Sequence, residues 1–206
     1  MIYRFFRFLC WLVLKIFFKH KVIHREHIIE EGPALIVSNH VSFLDPPTVG
    51  VSFQSSIHYL ARKTLFKGAF AWLLPRLNAV PVDQEGNDMS SLKNIIKRLK
   101  SGERVLLFPE GARSWDGTVQ KAEAGVGLVI AKSGAPVLPV RVFGAFEALP
   151  RGVSKPKRVP VTVVFGKPVD FSGIDPELKG KELYKAYADM AMAAIKAIEL
   201  PTDCGR

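Results

Sequence analysis

Short apolar runs rich in β-branched residues alternate with segments of helical periodicity along most of this chain. Runs of this kind predict buried strands, and strands that alternate with helices pack as a sheet with helices on its faces. The predicted strands are residues 22–29 at an edge of the sheet, 34–38, 57–61, 79–82, 104–108, 137–142 and 159–165. The alternation therefore predicts an α/β fold with a mostly parallel or mixed sheet covered by helices.

The predicted helices are residues 63–77, a segment capped by Asn87 or Asp88 and ending at Leu99, residues 122–132 before Gly134, and residues 179–199. A chain of 206 residues is long enough for one domain with a substantial core. The sequence shows no internal repeat and no low-complexity tract. We therefore expect a single domain over residues 22–206, preceded by a separate amphipathic helix over residues 1–21.

The first twenty residues are aromatic and aliphatic, with basic residues at regular steps. Arg7 and Lys15 interrupt the apolar run, so its uncharged stretch is far shorter than the roughly 20 residues of a membrane span. The segment also ends without the small-residue cleavage site of a signal peptide. A basic stripe on a very apolar helix is typical of helices in the membrane interface. The alternative is a helix docked on its own domain. The stripe comprises Arg4, Arg7, Trp11, Lys15 and Lys19, and the apolar arc comprises Phe5, Phe6, Leu9, Leu12, Val13, Ile16 and Phe17.

The chain carries 29 basic and 19 acidic residues, a net charge of +10. This excess predicts an anionic partner, either nucleic acid or an anionic membrane surface. The sequence contains neither a zinc-ligand spacing nor a basic helix with interleaved aromatic residues. We therefore expect the anionic partner to be a membrane surface and not nucleic acid. Cys10 and Cys204 form no C-x-x-C pair and indicate neither a disulfide framework nor a thiol enzyme. Without a G-x-S-x-G sequence, an ordinary α/β-hydrolase is disfavoured.

The first block that carries chemistry is residues 39–45, which contain His40 and Asp45. An imidazole can take a proton from an alcohol at neutral pH, and a carboxylate on its other nitrogen fixes the tautomer. The pair can meet only if the backbone turns between the two residues. Pro46 and Pro47 predict a helix that begins at Pro46, with Asp45 as its N-cap and His40 in the preceding loop. In the alternative interpretation, Asp45 is only a helix cap and His40 an ordinary loop histidine.

The second block is residues 108–114, Phe-Pro-Glu-Gly-Ala-Arg-Ser, at the end of the predicted strand 104–108. Loops at the carboxyl ends of strands are where open α/β sheets bind ligands. Arg113 offers a planar set of donors suited to phosphate, and Gly111 lets backbone approach a ligand closely. Taken alone, the block is also compatible with a surface turn in which Glu110 and Arg113 are solvated.

Together these blocks resemble the 1-acylglycerol-3-phosphate acyltransferase family. Asn39, His40 and Asp45 match its first motif, N-H-x4-D. Residues 108–114 match its third motif, F-P-E-G-T-R-S, with alanine in place of threonine, and residues 137–140 match its fourth, a V-P-V-like strand. Residues 62–66 resemble the basic segment that precedes the second motif. The resemblance covers residues 22–165, most of the chain.

The resemblance implies a membrane-associated enzyme of phospholipid biosynthesis on the cytoplasmic face. Such an enzyme transfers a fatty acyl group from acyl-CoA or acyl-carrier protein to 1-acylglycerol-3-phosphate and forms phosphatidic acid. His40 would act as the general base and Asp45 would orient it. Transfer would be direct, with the thioester as co-substrate and without a metal or cofactor. The residues implied to bind the acceptor are Glu110, Gly111, Arg113, and Arg62 or Lys63.

The second motif departs from the family pattern, because Asn78 and Gln84 stand where the family has glycine and arginine. In the family this arginine is associated with the acceptor's phosphate. Other acceptors therefore stay open, namely glycerol-3-phosphate, a lysophospholipid or an aminolipid, as does a non-catalytic membrane-binding module. The basic loop at residues 151–158 is compatible with binding lipid headgroups or coenzyme phosphates, and equally with simple solvation.

Overall fold

A mostly parallel sheet forms the centre of the protein in the computed structural model, which describes residues 2–82 and 89–201. Its strands lie in the order β1-β7-β6-β2-β5-β3-β4. Neighbouring strands are parallel except for the antiparallel pair β6 and β7. The mixed α/β architecture predicted from the sequence is confirmed. The strands are β1 (Lys21–Ile23), β2 (Ala34–Ser38), β3 (His58–Arg62), β4 (Ala79–Val82), β5 (Arg104–Leu107), β6 (Val137–Phe143) and β7 (Thr162–Phe165).

Helices cover both faces of this sheet. One core layer lies under α1, α2 and α6, and the other under α4, α5 and α7. Ile36 of β2 faces the first layer, whereas Leu35 and Val37 face the second. A strand buried on both faces is typical of the middle of a parallel sheet. The helices are α1 (Ile2–Phe18), α2 (Asp45–Gly50), α3 (Ala69–Arg76), α4 (Met89–Lys100), α5 (Ala124–Ser133), α6 (Ala145–Ala148) and α7 (Gly180–Ala197).

The parallel strands β2, β5, β3 and β6 all end at one edge of the sheet. In the register, Val37 lies beside Leu107 and Ser38 lies beside Val140. The loops that follow β2 and β5 therefore leave the sheet side by side. These loops carry the two chemical blocks of the sequence, so the topology alone brings those blocks together.

Two predicted segments differ from the observed elements. Residues 63–77 do not form one helix, because a 3₁₀ turn at Lys63–Leu65 is separated from α3 by Gly68, whose φ is +53°. The predicted edge strand is at an edge but stops at Ile23, because His24 takes a left-handed φ of 57° and a 3₁₀ turn follows. Helix α6 was not predicted from the sequence. The predicted motif position Gln84 and the predicted helix caps Asn87 and Asp88 lie outside the described residues.

The prediction that Asp45 caps a helix beginning at Pro46 is wrong. Helix α2 begins at Asp45 itself, Leu44 is the N-cap residue, and no side chain caps the helix. The Asp45 carboxylate points back toward the loop before the helix, where it accepts hydrogen bonds from the backbone of Val41 and Ser42. The cap-only interpretation of Asp45 is therefore excluded by the geometry.

Helix α1 packs on the domain through one face and exposes the other. Leu14 and Phe18 belong to the first core layer, and the Arg7 guanidinium donates to the Phe53 carbonyl. Arg7 therefore faces the domain. From the sequence it was predicted to belong to a basic stripe that contacts the membrane. No helix among residues 2–82 and 89–201 combines the length and apolarity needed to cross a bilayer. The outward face of α1 exposes Phe5, Phe8, Leu9, Leu12, Val13, Ile16 and Phe17.

Candidate active site

His40 and Asp45 form a hydrogen-bonded pair at the carboxyl edge of the sheet. His40 Nδ1 lies 2.8 Å from Asp45 Oδ2, and Asp45 is completely buried. The same oxygen accepts backbone N–H groups from Val41 and Ser42, both at 2.7 Å. An ionised carboxylate only accepts, so Nδ1 carries the hydrogen. In the neutral ring, the lone pair is therefore on Nε2.

The His40 ring is fixed by packing as well as by Asp45. It stacks on Phe108, with ring centroids 3.9 Å apart and an interplanar angle of 16°. The side chain keeps 17% of its surface exposed. Within residues 2–82 and 89–201, no hydrogen bond engages Nε2. The free, basic nitrogen is thus presented at the surface of the site, as a general base requires.

Glu110 joins the two blocks through the backbone. One carboxylate oxygen accepts the His40 N–H at 2.7 Å, and the other accepts the Gln120 N–H at 3.0 Å. A further backbone bond runs from Ser114 N–H to the His40 carbonyl at 2.8 Å. Burial raises the pKa of Glu110, and the two backbone donors oppose that shift. Glu110 therefore holds the His40 loop in place, and its contact with a substrate stays a prediction.

The loop that carries His40 is also attached to the opposite neighbour, β6. Asn39 donates its amide to the Val142 carbonyl at 3.1 Å and accepts the Val142 N–H at 2.7 Å. Its side chain thus continues the sheet pairing after β2 has ended. Ser42 donates to the Leu149 carbonyl at 2.7 Å. These contacts explain the asparagine before the histidine, because its side-chain amide both donates and accepts a hydrogen bond, as a backbone peptide group does.

Gly111 forms the tight turn that follows β5. Its φ is +69°, a conformation that side chains disfavour, and its N–H donates to the Phe108 carbonyl at 3.1 Å. A Cβ at this position would lie 2.9 Å from Glu123 Cγ. Glycine is thus needed here by the turn itself. The predicted approach of a ligand to this backbone stays a prediction.

Arg113 lies against an aromatic side chain of the first block. Its guanidinium carbon is 3.5 Å from the centre of the Phe43 ring, and Phe43 is largely exposed. The Nη1 atom of Arg113 is buried and has no partner within the described part of the chain. Burial lowers the pKa of Arg113, and the charges of Arg151 and Arg62 lower it further. The site therefore gathers positive charge beside the base.

Three arginines, Arg62, Arg113 and Arg151, lie near one another and form an arginine cluster. Arg62 was predicted as a site residue, and Arg151 was not. Arg62 ends β3 at the same sheet edge, and Lys63 follows it in an exposed turn. Arg151 comes from the basic loop and donates to the Arg113 carbonyl at 3.1 Å. Sequence reasoning missed Arg151 as a site residue, although its loop stood out as basic. It also missed the ring contact of Phe108 with His40, which lies between two recognised blocks.

Comparison with known proteins agrees with this geometry. The Acyltransferase family model matches residues 19–143. A 1-acyl-sn-glycerol-3-phosphate acyltransferase of Bacillus subtilis is 31% identical over 191 residues, which cover 89% of this chain and 89% of the relative. A protein of the same name from Pseudomonas aeruginosa is 27% identical over 94% of this chain and 77% of its own length.

The fold is also similar to that of a solved acyltransferase. The crystal structure of the 1-acyl-sn-glycerophosphate acyltransferase PlsC from Thermotoga maritima superposes with a TM-score of 0.76 at 26% identity. The match covers 97% of this chain and 81% of the other. The matched segment 19–143 contains β2, β5 and both chemical blocks. With its histidine–aspartate pair at the expected sheet edge, the chain belongs to the acyltransferase family.

Proposed function

We propose that this protein is a 1-acylglycerol-3-phosphate acyltransferase that forms phosphatidic acid in phospholipid biosynthesis. The observation that carries the proposal is the 2.8 Å bond between His40 Nδ1 and Asp45 Oδ2, which leaves Nε2 free beside a cluster of arginines. A base next to phosphate-binding groups suits an acceptor that has both a hydroxyl and a phosphate. The names of the Bacillus subtilis and Pseudomonas aeruginosa relatives support this choice of acceptor.

The chemical step needs only this base and a thioester donor. His40 Nε2 takes the proton of the acceptor's hydroxyl as its oxygen attacks the thioester carbonyl carbon. The C–S bond then breaks, and the departing thiolate takes the proton from the imidazolium. Asp45 stabilises that imidazolium through Nδ1. The thioester is acyl-CoA or acyl-carrier protein, and the products are phosphatidic acid and the free thiol of the donor.

Arg113 and Arg62, with Lys63 on the adjoining turn, bind the acceptor's phosphate in this proposal. Guanidinium groups present paired donors that match phosphate oxygens. The buried, unpartnered Nη1 of Arg113 supports the assignment, because a buried donor without an acceptor is costly unless a ligand supplies one. Glu110 and Gly111 keep the loop that carries Arg113 in register with His40.

The enzyme works at an anionic membrane surface, and residues 1–21 are its contact with that surface. The outward face of α1 exposes large apolar side chains, of which Phe5 and Phe8 are about three-fifths exposed. Arg4 and Lys15 are also exposed on this helix. An apolar face with basic neighbours is typical of helices that lie in the interface. The thioester donor and the lipid acceptor meet at the cytoplasmic face of the membrane. Residues 22–206 form the catalytic domain.

An assay panel tests the function. Purified protein is given acyl-CoA or acyl-carrier-protein thioesters together with one acceptor at a time. The acceptors are 1-acylglycerol-3-phosphate, glycerol-3-phosphate, a lysophospholipid and an aminolipid. We expect the highest kcat/KM with 1-acylglycerol-3-phosphate, with release of one thiol per phosphatidic acid formed. A higher kcat/KM with another acceptor would reject the proposed substrate, and no transfer to any acceptor would reject enzymatic function.

An Arg113→Lys variant should bind the acceptor less tightly. Lysine keeps the charge but loses the planar pair of donors and the stacking on Phe43. We expect the KM for 1-acylglycerol-3-phosphate to rise about tenfold, as the loss of one charge-assisted hydrogen bond predicts, with a smaller change in kcat. Steady-state kinetics at saturating donor measures both constants. An unchanged acceptor KM would remove Arg113 from the phosphate site.

Replacing Phe5 and Phe8 with glutamine should weaken membrane binding without unfolding the protein. Both rings face outward, whereas Leu14 and Phe18 on the same helix are core residues, so substitution is preferable to deletion. Partial burial of each ring contributes about 1 kcal/mol, so the loss of both rings should lower the liposome partition coefficient about thirtyfold. Flotation with anionic liposomes measures the change.

The matched control replaces Phe70 and Trp72 of α3, which are similarly exposed. It should float like the unchanged protein. If the control loses binding and the α1 variant retains it, the membrane contact lies on α3.

A further inference from the structure

Arg151 lies within the arginine cluster, although it comes from a different part of the chain. It follows α6, in the connection that leads from β6 back to β7. Because β6 is parallel to β2, this connection starts at the sheet edge where the site lies. Arg151 donates from Nη1 to the Arg113 carbonyl at 3.1 Å. The fold therefore places a third arginine directly beside the loop that carries Arg113.

An aromatic ring sets the direction of the Arg151 side chain. Its guanidinium carbon lies 3.9 Å from the centre of the Trp115 ring, and Trp115 is 70% exposed. Arg113 lies over Phe43 in the same way. Two neighbouring arginines thus rest on exposed rings, and a ring face contacts the flat face of a guanidinium without using its N–H donors. A guanidinium has five N–H donors, and the Arg113 carbonyl takes one of those of Arg151.

None of the three arginines of this cluster, Arg62, Arg113 and Arg151, forms an ion pair within 4.0 Å among the described residues. The three charges are near enough that Arg151 and Arg62 lower the pKa of Arg113, after the larger effect of burial, and the charge of Asp45 opposes that shift more weakly. Like charges held together and offset only in part favour the binding of an anion.

We propose that Arg151 is a further ligand of the acceptor's phosphate, beside Arg113, Arg62 and Lys63. The inference rests on the proposed function and deepens it, because it adds a phosphate ligand from the connection between β6 and β7. Arg113 and Arg151 approach the phosphate from two loops, each supported by its own aromatic ring. A phosphate monoester dianion, with three oxygens beyond its ester link, offers acceptors to both.

The experiment compares Arg151→Gln with the unchanged protein in detergent micelles, where recruitment to a membrane has no part. Two acceptors are used, 1-acylglycerol-3-phosphate and the corresponding monoacylglycerol, which lacks the phosphate. The matched control is Arg76→Gln. Arg76 also lies over a tryptophan, Trp72, at 4.4 Å, and also donates to a backbone carbonyl. It precedes β4 and so lies at the opposite edge of the sheet.

Arg151→Gln should raise the KM for 1-acylglycerol-3-phosphate about tenfold, the effect of one lost hydrogen bond to a charged group. The kcat/KM for monoacylglycerol should stay unchanged, and Arg76→Gln should change neither. If Arg151 only supports the Arg113 loop, the kcat/KM values for both acceptors should fall equally, because the same loop holds His40 through Glu110 and Ser114. An equal loss, an unchanged KM, or the same effect in the control overturns the inference.

If the proposed function itself is wrong, the assay gives a different result from the one that overturns the role of Arg151. The unchanged protein would then acylate another acceptor and leave 1-acylglycerol-3-phosphate untouched. In that case calorimetric titration with sn-glycerol 3-phosphate decides the role of Arg151 directly. Weaker binding by Arg151→Gln than by the unchanged protein supports a phosphate ligand, and equal binding rejects it.

Discussion

A His40→Ala variant is expected to lose acyl transfer by about 10²- to 10⁴-fold, the usual cost of removing a general base. The stability of the fold should change little. The bonds that tie this residue to the second block run through its backbone, from its N–H to Glu110 and from Ser114 to its carbonyl, and alanine keeps them. The variant does lose the stacking on Phe108, so a small fall in the unfolding midpoint is expected. Thiol release from the donor measures the rate.

His58 supplies a matched control. It also lies near a carboxylate, with Nδ1 3.4 Å from Glu103 Oε2, but it begins β3 and so lies at the edge opposite the site. His58→Ala should retain near-normal turnover. A folded His40→Ala protein with near-normal turnover would remove His40 from the mechanism, and equal losses in both variants would point to a general structural effect.

Asp45→Asn should lower kcat about 100-fold while the protein stays folded. One carboxylate oxygen, Oδ2, accepts all three donors, namely His40 Nδ1 and the N–H groups of Val41 and Ser42. The other oxygen is buried and has no partner within the described residues. An amide can therefore keep all three bonds with its carbonyl oxygen. It loses the negative charge that stabilises the imidazolium, and a bond to a charged group contributes about 1.5–3 kcal/mol.

Asp45→Ala separates this electrostatic role from the structural one. Alanine leaves the three donors without their acceptor in a fully buried position, which should lower the free energy of unfolding by about 3 kcal/mol or more. Urea unfolding should therefore rank Asp45→Asn near the unchanged protein and Asp45→Ala well below it. If Asp45→Asn keeps full activity, the charge has no part in catalysis. If it unfolds as readily as Asp45→Ala, the carboxylate is mainly structural.

Most of the strands could be predicted well from the sequence. Residues 34–38 and 79–82 form β2 and β4 with the predicted bounds, and the helix before Gly134 ends as expected, with Gly134 at a φ of +65°. These segments are governed by local rules: continuous apolar runs for buried strands and glycine for a left-handed helix end. That the two blocks belong to one site was implied only by the resemblance to the acyltransferase family, because β3 and β4 separate β2 from β5 in the chain.

Local rules failed where a specific side-chain contact decided the conformation. The proline pair after Asp45 predicted a capped helix, but the carboxylate instead gathers the donors of the preceding loop. The heptad-like spacing in α1 placed Arg7 on an outward stripe, but the Phe53 carbonyl draws it inward. Phe53 lies 46 residues from Arg7 in the chain, and the donors to Asp45 lie in the loop before its helix. Periodicity reports which side chains share a face and leaves open what each face meets.

The sequence by itself determined the α/β class, the histidine and aspartate of the site, and the arginine of the second block, because short motifs and apolar periodicity encode them locally. Only the tertiary structure decided that Glu110 fastens the His40 loop, that one face of α1 is core while the other is open, and that Arg151 joins Arg113. Each of these depends on contacts between residues far apart in the chain. Such contacts follow from strand order and loop direction, which no local pattern of residues specifies.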